Sequence, residues 1–175
     1  MAKTNLLTLL EGGDRRSIGR ADQVAVAVSR NRALFKTLMQ GWWADDPLVR
    51  MRAADATEKV TRKNPDLLPA YKKQLLGLLA DAEQQELRWH LAALVPRLPL
   101  SRQEHRLAAS SLRRYLQDHS SIVKTCALQA LADLAKDDSA MRTEVRKLLR
   151  QSLRNGTPAM KARSRKLLLR LDSDH

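Results

Sequence analysis

Four short segments of this chain line up when apolar, basic and small side chains are superposed: Val49-Arg50-Met51-Arg52-Ala53, Leu87-Arg88-Trp89-His90-Leu91, Val123-Lys124-Thr125-Cys126-Ala127 and Met160-Lys161-Ala162-Arg163-Ser164. Their starts lie 38, 36 and 37 residues apart, a length that suits two helices and two turns. In the helix expected after Pro47, Val49, Ala53, Ala56 and Val60 fall within about one 60° sector, a stripe too narrow and too small in volume to fold alone. Val123, Ala127, Ala130 and Leu134 repeat it. Each stripe therefore needs cover from partner helices, through residues such as Leu75, Leu78 and Leu79, or Val145, Leu148 and Leu149. The core is expected to be shared between repeats.

The composition suits helices. There are 31 leucines but only two isoleucines, Ile18 and Ile122, and 3% of residues are aromatic. Straight-chain and small residues lose little on entering a helix, whereas β-branched residues lose side-chain freedom there. Asp46-Pro47 and Thr157-Pro158 each set a capping oxygen before a proline at the first helical position. Ser101-Arg102-Gln103-Glu104 reads as a capping box. Partner helices are expected over roughly 31–43, 66–81, 101–118 and 139–154, with an earlier pair near 4–10 and 14–30. No β-strand is expected. The reading is one all-α domain over 1–175: a divergent capping repeat at 1–30 and repeats at 31–63, 66–98, 101–136 and 139–171.

The segment Asp46-Pro47-Leu48-Val49-Arg50-Met51-Arg52-Ala53-Ala54 resembles the HEAT repeat, in which an Asp-Pro turn leads into a second helix beginning Val-Arg and continuing with alanines. The match weakens at the ends, where Gly19 takes the place of the Arg in the first unit and Ser164 that of the alanine in the last. The resemblance implies an armadillo-like α-solenoid, a right-handed superhelix of about four to five stacked antiparallel helix pairs. It also implies a concave face lined by the second helices, where such proteins grip partners.

Offsets of three and ten residues from the Val49-like position project to one flank of the apolar stripe. The occupants are Arg52 and Lys59, His90 and Arg97, Cys126 and Asp133, and Arg163 and Arg170. Three units of four thus offer, at matching places, two side chains that are cationic or, at His90, can become so, a broken basic ridge expected to bind a partner. The basic residue right after the apolar start (Arg50, Arg88, Lys124 and Lys161) is expected to do structural work instead. In HEAT proteins this position joins a ladder with turn acids, for which Asp45, Asp46, Glu86 and Asp118 are available. Trp42, Trp43 and Trp89 are candidate aromatic anchors, against the plainer reading that they fill space between units.

Net charge of +13 and a pI near 10.6 speak to partners rather than fold. From Ser139 to the end, ten Lys or Arg face three acids, which makes this the most basic region. The partner expected first is an acidic protein, with DNA or RNA as the alternative. No membrane insertion is expected, since no run approaches the roughly 20 apolar residues a spanning helix needs. One cysteine, Cys126, excludes an internal disulfide framework and fits a cytoplasmic setting. No phosphate-cradling glycine loop, HExxH motif or metal-ligand histidine spacing occurs, so no catalytic residue, cofactor, metal or small-molecule substrate is expected. His105 and His119 read as exposed surface residues and Cys126 as a buried small side chain.

The reading is a noncatalytic scaffold module. One enzyme class resembles the chain in being small, basic and HEAT-like, the bacterial alkylpurine DNA glycosylases, which use tryptophans and an acidic residue on a basic concave surface. Trp89 stands beside Arg88 and His90, but Ala93 occupies the place one turn later where an acid is required.

Overall fold

Side-chain caps open several of the helices. In this computed structural model, whose described residues are 6–14 and 16–173, nine α-helices and several 3-10 turns make up the described chain and no strand occurs among those residues. The helices are α1 (Ala21–Arg30), α2 (Phe35–Gln40), α3 (Pro47–Lys63), α4 (Lys72–Asp81), α5 (Gln85–Leu94), α6 (Arg102–Tyr115), α7 (Ser121–Leu134), α8 (Ser139–Asn155) and α9 (Pro158–Ser173). Asp46 Oδ1 accepts from the Leu48 N–H at 2.8 Å and opens α3 behind Pro47. Ser101 and Glu104 form the reciprocal capping box that opens α6.

Glycine and proline shorten several expected helices. The segment expected to be helical from Asp14 turns helical only at Ala21, because Gly12, Gly13 and Gly19 take left-handed φ values of 70°, 83° and 54°. The expected start of that pair at Thr4 lies outside the described residues. Residues 31–43 break into a 3-10 turn, α2 and a second 3-10 turn, and Pro65 and Pro69 each open a 3-10 turn before α4. Pro96 likewise ends α5 at Leu94 and throws Val95–Arg97 into a 3-10 turn.

The chain divides into two compact units, Met1–Tyr71 and Lys72–His175, a boundary inside the segment 66–98. In the first unit, α1 and α2 pack on α3. Val24, Val28, Leu38 and Trp42 are buried there with the α3 stripe of Val49, Ala53, Ala56 and Val60. Small side chains let the backbones approach closely: a Cβ at Gly41 would lie 2.7 Å from the Cβ of Ala53. In the second unit, α5 packs on α7 and α7 on α9, α4 contacts α5 and α6, α6 lies on α7, and α8 contacts α7 and α9. Leu75, Leu79, Val145 and Leu149 are buried as cover, while Leu78 and Leu148 are half-buried. Each fully buried leucine contributes about 2 kcal/mol of transfer free energy, so every helix is held chiefly by its neighbours.

Candidate partner-binding surface

The expected ridge residues have unlike environments. Arg52 is 1% exposed, and its guanidinium donates to four backbone carbonyls: Nη1 to Leu10 at 2.8 Å and Gly12 at 2.6 Å, Nη2 to Asp14 at 3.1 Å, and Nε to Ser17 at 3.1 Å. Its place on a partner-facing ridge is therefore corrected to a buried anchor. The physical reason is local: the glycine-rich segment before α1 turns its carbonyls inward, and buried carbonyls need donors. Lys59 Nζ lies 2.5 Å from Asp22 Oδ1 and 2.7 Å from Asp55 Oδ2. Burial pulls the Lys59 pKa down, but the hydrogen bonds and charges of the two carboxylates outweigh it and raise the pKa above its ordinary value.

In the second unit His90 is 6% exposed, so it too is corrected from ridge to core. Arg97 sits half-buried on the 3-10 turn made by Pro96, and an offset counted along a regular helix no longer gives its direction. Arg163 is exposed and donates to Gln129 Oε1 at 2.8 Å. Arg170 Nη1 pairs with Asp133 Oδ1 at 2.8 Å, and Gln129 donates to the same carboxylate. The two positions where the sequence interrupts the ridge thus behave differently: Asp133 neutralises Arg170, and Cys126 is half-buried on α7 rather than fully buried.

The ladder position is better defined. Arg88 donates to the Ala82 carbonyl at 2.7 Å and from Nη1 to Asp118 Oδ2 at 2.6 Å. Arg50 donates to the backbone carbonyls of Ala44 and Asp45, at 2.7 and 3.0 Å. Lys124 and Lys161 are half-buried, and their ammonium groups have no partner among the described residues.

The tryptophans also divide. Trp42 is buried, and its Nε1 donates to Thr57 Oγ1 at 3.0 Å, which makes it a core residue. Trp43 is 49% exposed. Trp89 is half-buried with its ring 5.8 Å from that of His90. His105, expected on the surface, is half-buried, and its Nε2 lies 2.8 Å from the Leu134 carbonyl at the end of α7. A carbonyl only accepts, so Nε2 carries the proton there.

Cations without a partner among the described residues occur on several helices, Lys36, Lys73 and Arg106 among them, and six of them lie on α8 and α9. Lys147, Arg150 and Arg154 are exposed, fall within about 60° of one another around α8, and make no ion pair or side-chain hydrogen bond with a described residue. On α9, Lys161, Arg165 and Lys166 are equally unpaired. Leu169, 72% exposed, follows Arg165 by one turn on the same face. The ridge count missed the α8 stripe because it followed the second helices only. The excess of basic residues after Ser139 was the signal that contains it. Among the described residues, no group of three or more His, Cys, Asp or Glu side chains comes together, and no helix is long and apolar enough to cross a membrane.

The fold defines the class: an all-α protein of helices packed against one another, with a cationic stripe on its penultimate helix. No family model and no curated protein matches the chain. A solved crystal structure of an engineered protein is similar over 96% of this chain and 80% of its own, with a TM-score of 0.60 and 17% identity. That likeness concerns the fold alone.

Proposed function

We propose that the chain is a noncatalytic binding module, a HEAT-like α-solenoid that presents a basic helical surface to an acidic protein. The observation that carries this reading is the unpaired stripe Lys147, Arg150 and Arg154 on α8, next in the chain to Lys161, Arg165 and Lys166 on α9. The Asp-Pro cap of α3 and the Arg88–Asp118 pair support the HEAT-like part. Cations fixed along packed helices lose little backbone entropy on binding. An exposed ion pair contributes about 0–1 kcal/mol, so affinity must come from several acting together, helped by apolar contacts such as Leu169.

The test is a titration of the purified protein with a fluorescent Asp/Glu-rich peptide and with duplex DNA and single-stranded RNA of similar charge, across about 50–300 mM salt. The expected result is peptide binding that persists near 150 mM salt and is lost in the triple variant Lys147→Glu, Arg150→Glu, Arg154→Glu. Nucleic-acid binding with a steep salt slope, and none to the peptide, overturns the reading in favour of a nucleic-acid partner.

A further inference from the structure

We propose that the pocket between α7, α8 and α9 is a carboxylate site, in which Lys124 takes an acidic side chain of the partner as Arg88 takes Asp118 one repeat earlier. This deepens the reading above and rests on it for the source of the carboxylate. Asp118 stands two residues before Ser120, which caps α7; its Oδ1 accepts from the Ser120 N–H at 2.7 Å and its Oδ2 from Arg88. One repeat on, Asn155 stands two residues before Thr157, whose Oγ1 accepts from the Met160 N–H and opens α9. The cation is retained as Lys124, but its acid is replaced by a neutral amide whose side chain makes no hydrogen bond among the described residues.

A pocket of about 340 Å³ lies at this place, lined by Lys124, Gln151, Ser152, Asn155 and Thr157 on its polar side and by apolar residues such as Leu128. Ser152 gives a second, independent indication of an occupant. The residue is 6% exposed, and its Oγ is buried with no hydrogen-bond partner. A buried hydroxyl without a partner is costly, and a carboxylate oxygen in the pocket is an acceptor of the type it lacks. Gly156 lets the chain pass close over this hydroxyl, since a Cβ there would lie 2.5 Å from the Ser152 carbonyl oxygen and 2.9 Å from Oγ. A carboxylate fits better than a phosphate, because one ammonium, amide N–H groups and a hydroxyl match a single negative charge with two acceptor oxygens.

The variant that tests this is Asn155→Asp, which supplies the missing acid from within the chain, with Gln103→Glu on α6 as a control of equal charge change. In the first arm, acetate and inorganic phosphate are titrated separately into wild type and variants while backbone amide NMR signals are followed. Acetate is expected to shift the amides of Ser152, Asn155, Gly156 and Thr157 in wild type and in Gln103→Glu, and not in Asn155→Asp or Lys124→Met. No acetate shift in wild type, or an equal response to phosphate, overturns the assignment. In the second arm, the Asp/Glu-rich peptide is expected to bind Asn155→Asp at least tenfold more weakly than Gln103→Glu. Equal peptide affinity in those two, with affinity still lost in the α8 triple variant, overturns the pocket and leaves the basic-stripe reading intact. A peptide that fails to bind wild type overturns the stripe reading, and acetate alone then decides the pocket.

Discussion

The guanidinium of Arg88, on α5, closes on the carboxylate of Asp118 in the turn before α7 at 2.6 Å, while its Cζ sits 5.6 Å from the centre of the Tyr115 ring. The Asp118 side chain is 6% exposed. Burial alone would raise its pKa, but the Ser120 N–H and the Arg88 guanidinium outweigh that and hold it below the ordinary value. Asp118→Asn is expected to destabilise the protein at neutral pH by about 2 kcal/mol, because Arg88 then keeps its burial and loses its counter-charge. A carboxyl with a lowered folded pKa stabilises fully above its unfolded value near 4, and that contribution is lost as pH falls through the folded value. Urea unfolding at pH 7 and pH 3 checks this: the gap between wild type and variant should shrink at pH 3.

Arg52 makes a contrasting prediction. Its fork serves four carbonyls at once, and an ammonium on a shorter reach cannot reproduce that geometry. Arg52→Lys is expected to cost about 3 kcal/mol, with faster hydrogen exchange concentrated at residues 6–20. Binding of acidic peptide, measured where the variant is still folded, should be unchanged. Gly19→Ala should act in the same direction, since Gly19 has φ of 54° and a Cβ there would lie 2.7 Å from Arg52 Cζ.

These two arginines show how far the sequence could be read. The starts of α3 and α6 were legible because a cap is local chemistry: Asp46-Pro47 and Ser101 with Glu104 need only their own turn to act. The apolar stripes were legible for the same reason, being a period counted within one helix. Arg88 with Asp118 was legible as a ladder position, but the sequence offered four acids and geometry chose one. Arg52 was misread because its fate depends on the chain before α1, whose left-handed glycines turn carbonyls toward it. No count along α3 contains that information. At Arg97 one proline breaks the helical count, and Lys59 and Arg170 drew acids, Asp22 and Asp133, from neighbouring helices.

Tyr115 gives a signature in alkali. Its hydroxyl donates to the Leu79 carbonyl at 2.8 Å, and burial pushes its pKa up to about 12, against a smaller pull downward from the charges of Arg88 and Arg114. A raised folded pKa means that the unfolded chain gives up this proton first, so the contribution is complete below about pH 10 and is lost as pH rises toward 12. The size is about 2 kcal/mol. Tyr115→Phe should be less stable than wild type at pH 8 by about 1 kcal/mol, from the lost hydrogen bond, and should lack this part of the decline above pH 10. Denaturant titrations at pH 8, 10 and 11.5 measure both effects.

Asp133 sets how much of the positive charge on α9 is available. It pairs with Arg170, and both side chains are more than a third exposed, at 41% for the arginine and 34% for the acid. Such a pair is solvent-screened and contributes under about 1 kcal/mol to stability. Asp133→Asn should therefore leave the melting transition nearly unchanged while releasing Arg170 and changing the net charge by one unit in the positive direction. If α9 takes part in holding an acidic partner, peptide affinity near 150 mM salt should rise about two- to threefold, with a steeper salt dependence. The same substitution at Asp22, which pairs with Lys59 in the first unit, separates a local effect from net charge. Equal gains at both positions would mean that the peptide responds only to total charge, whereas a gain at Asp133 alone places the contact on α9.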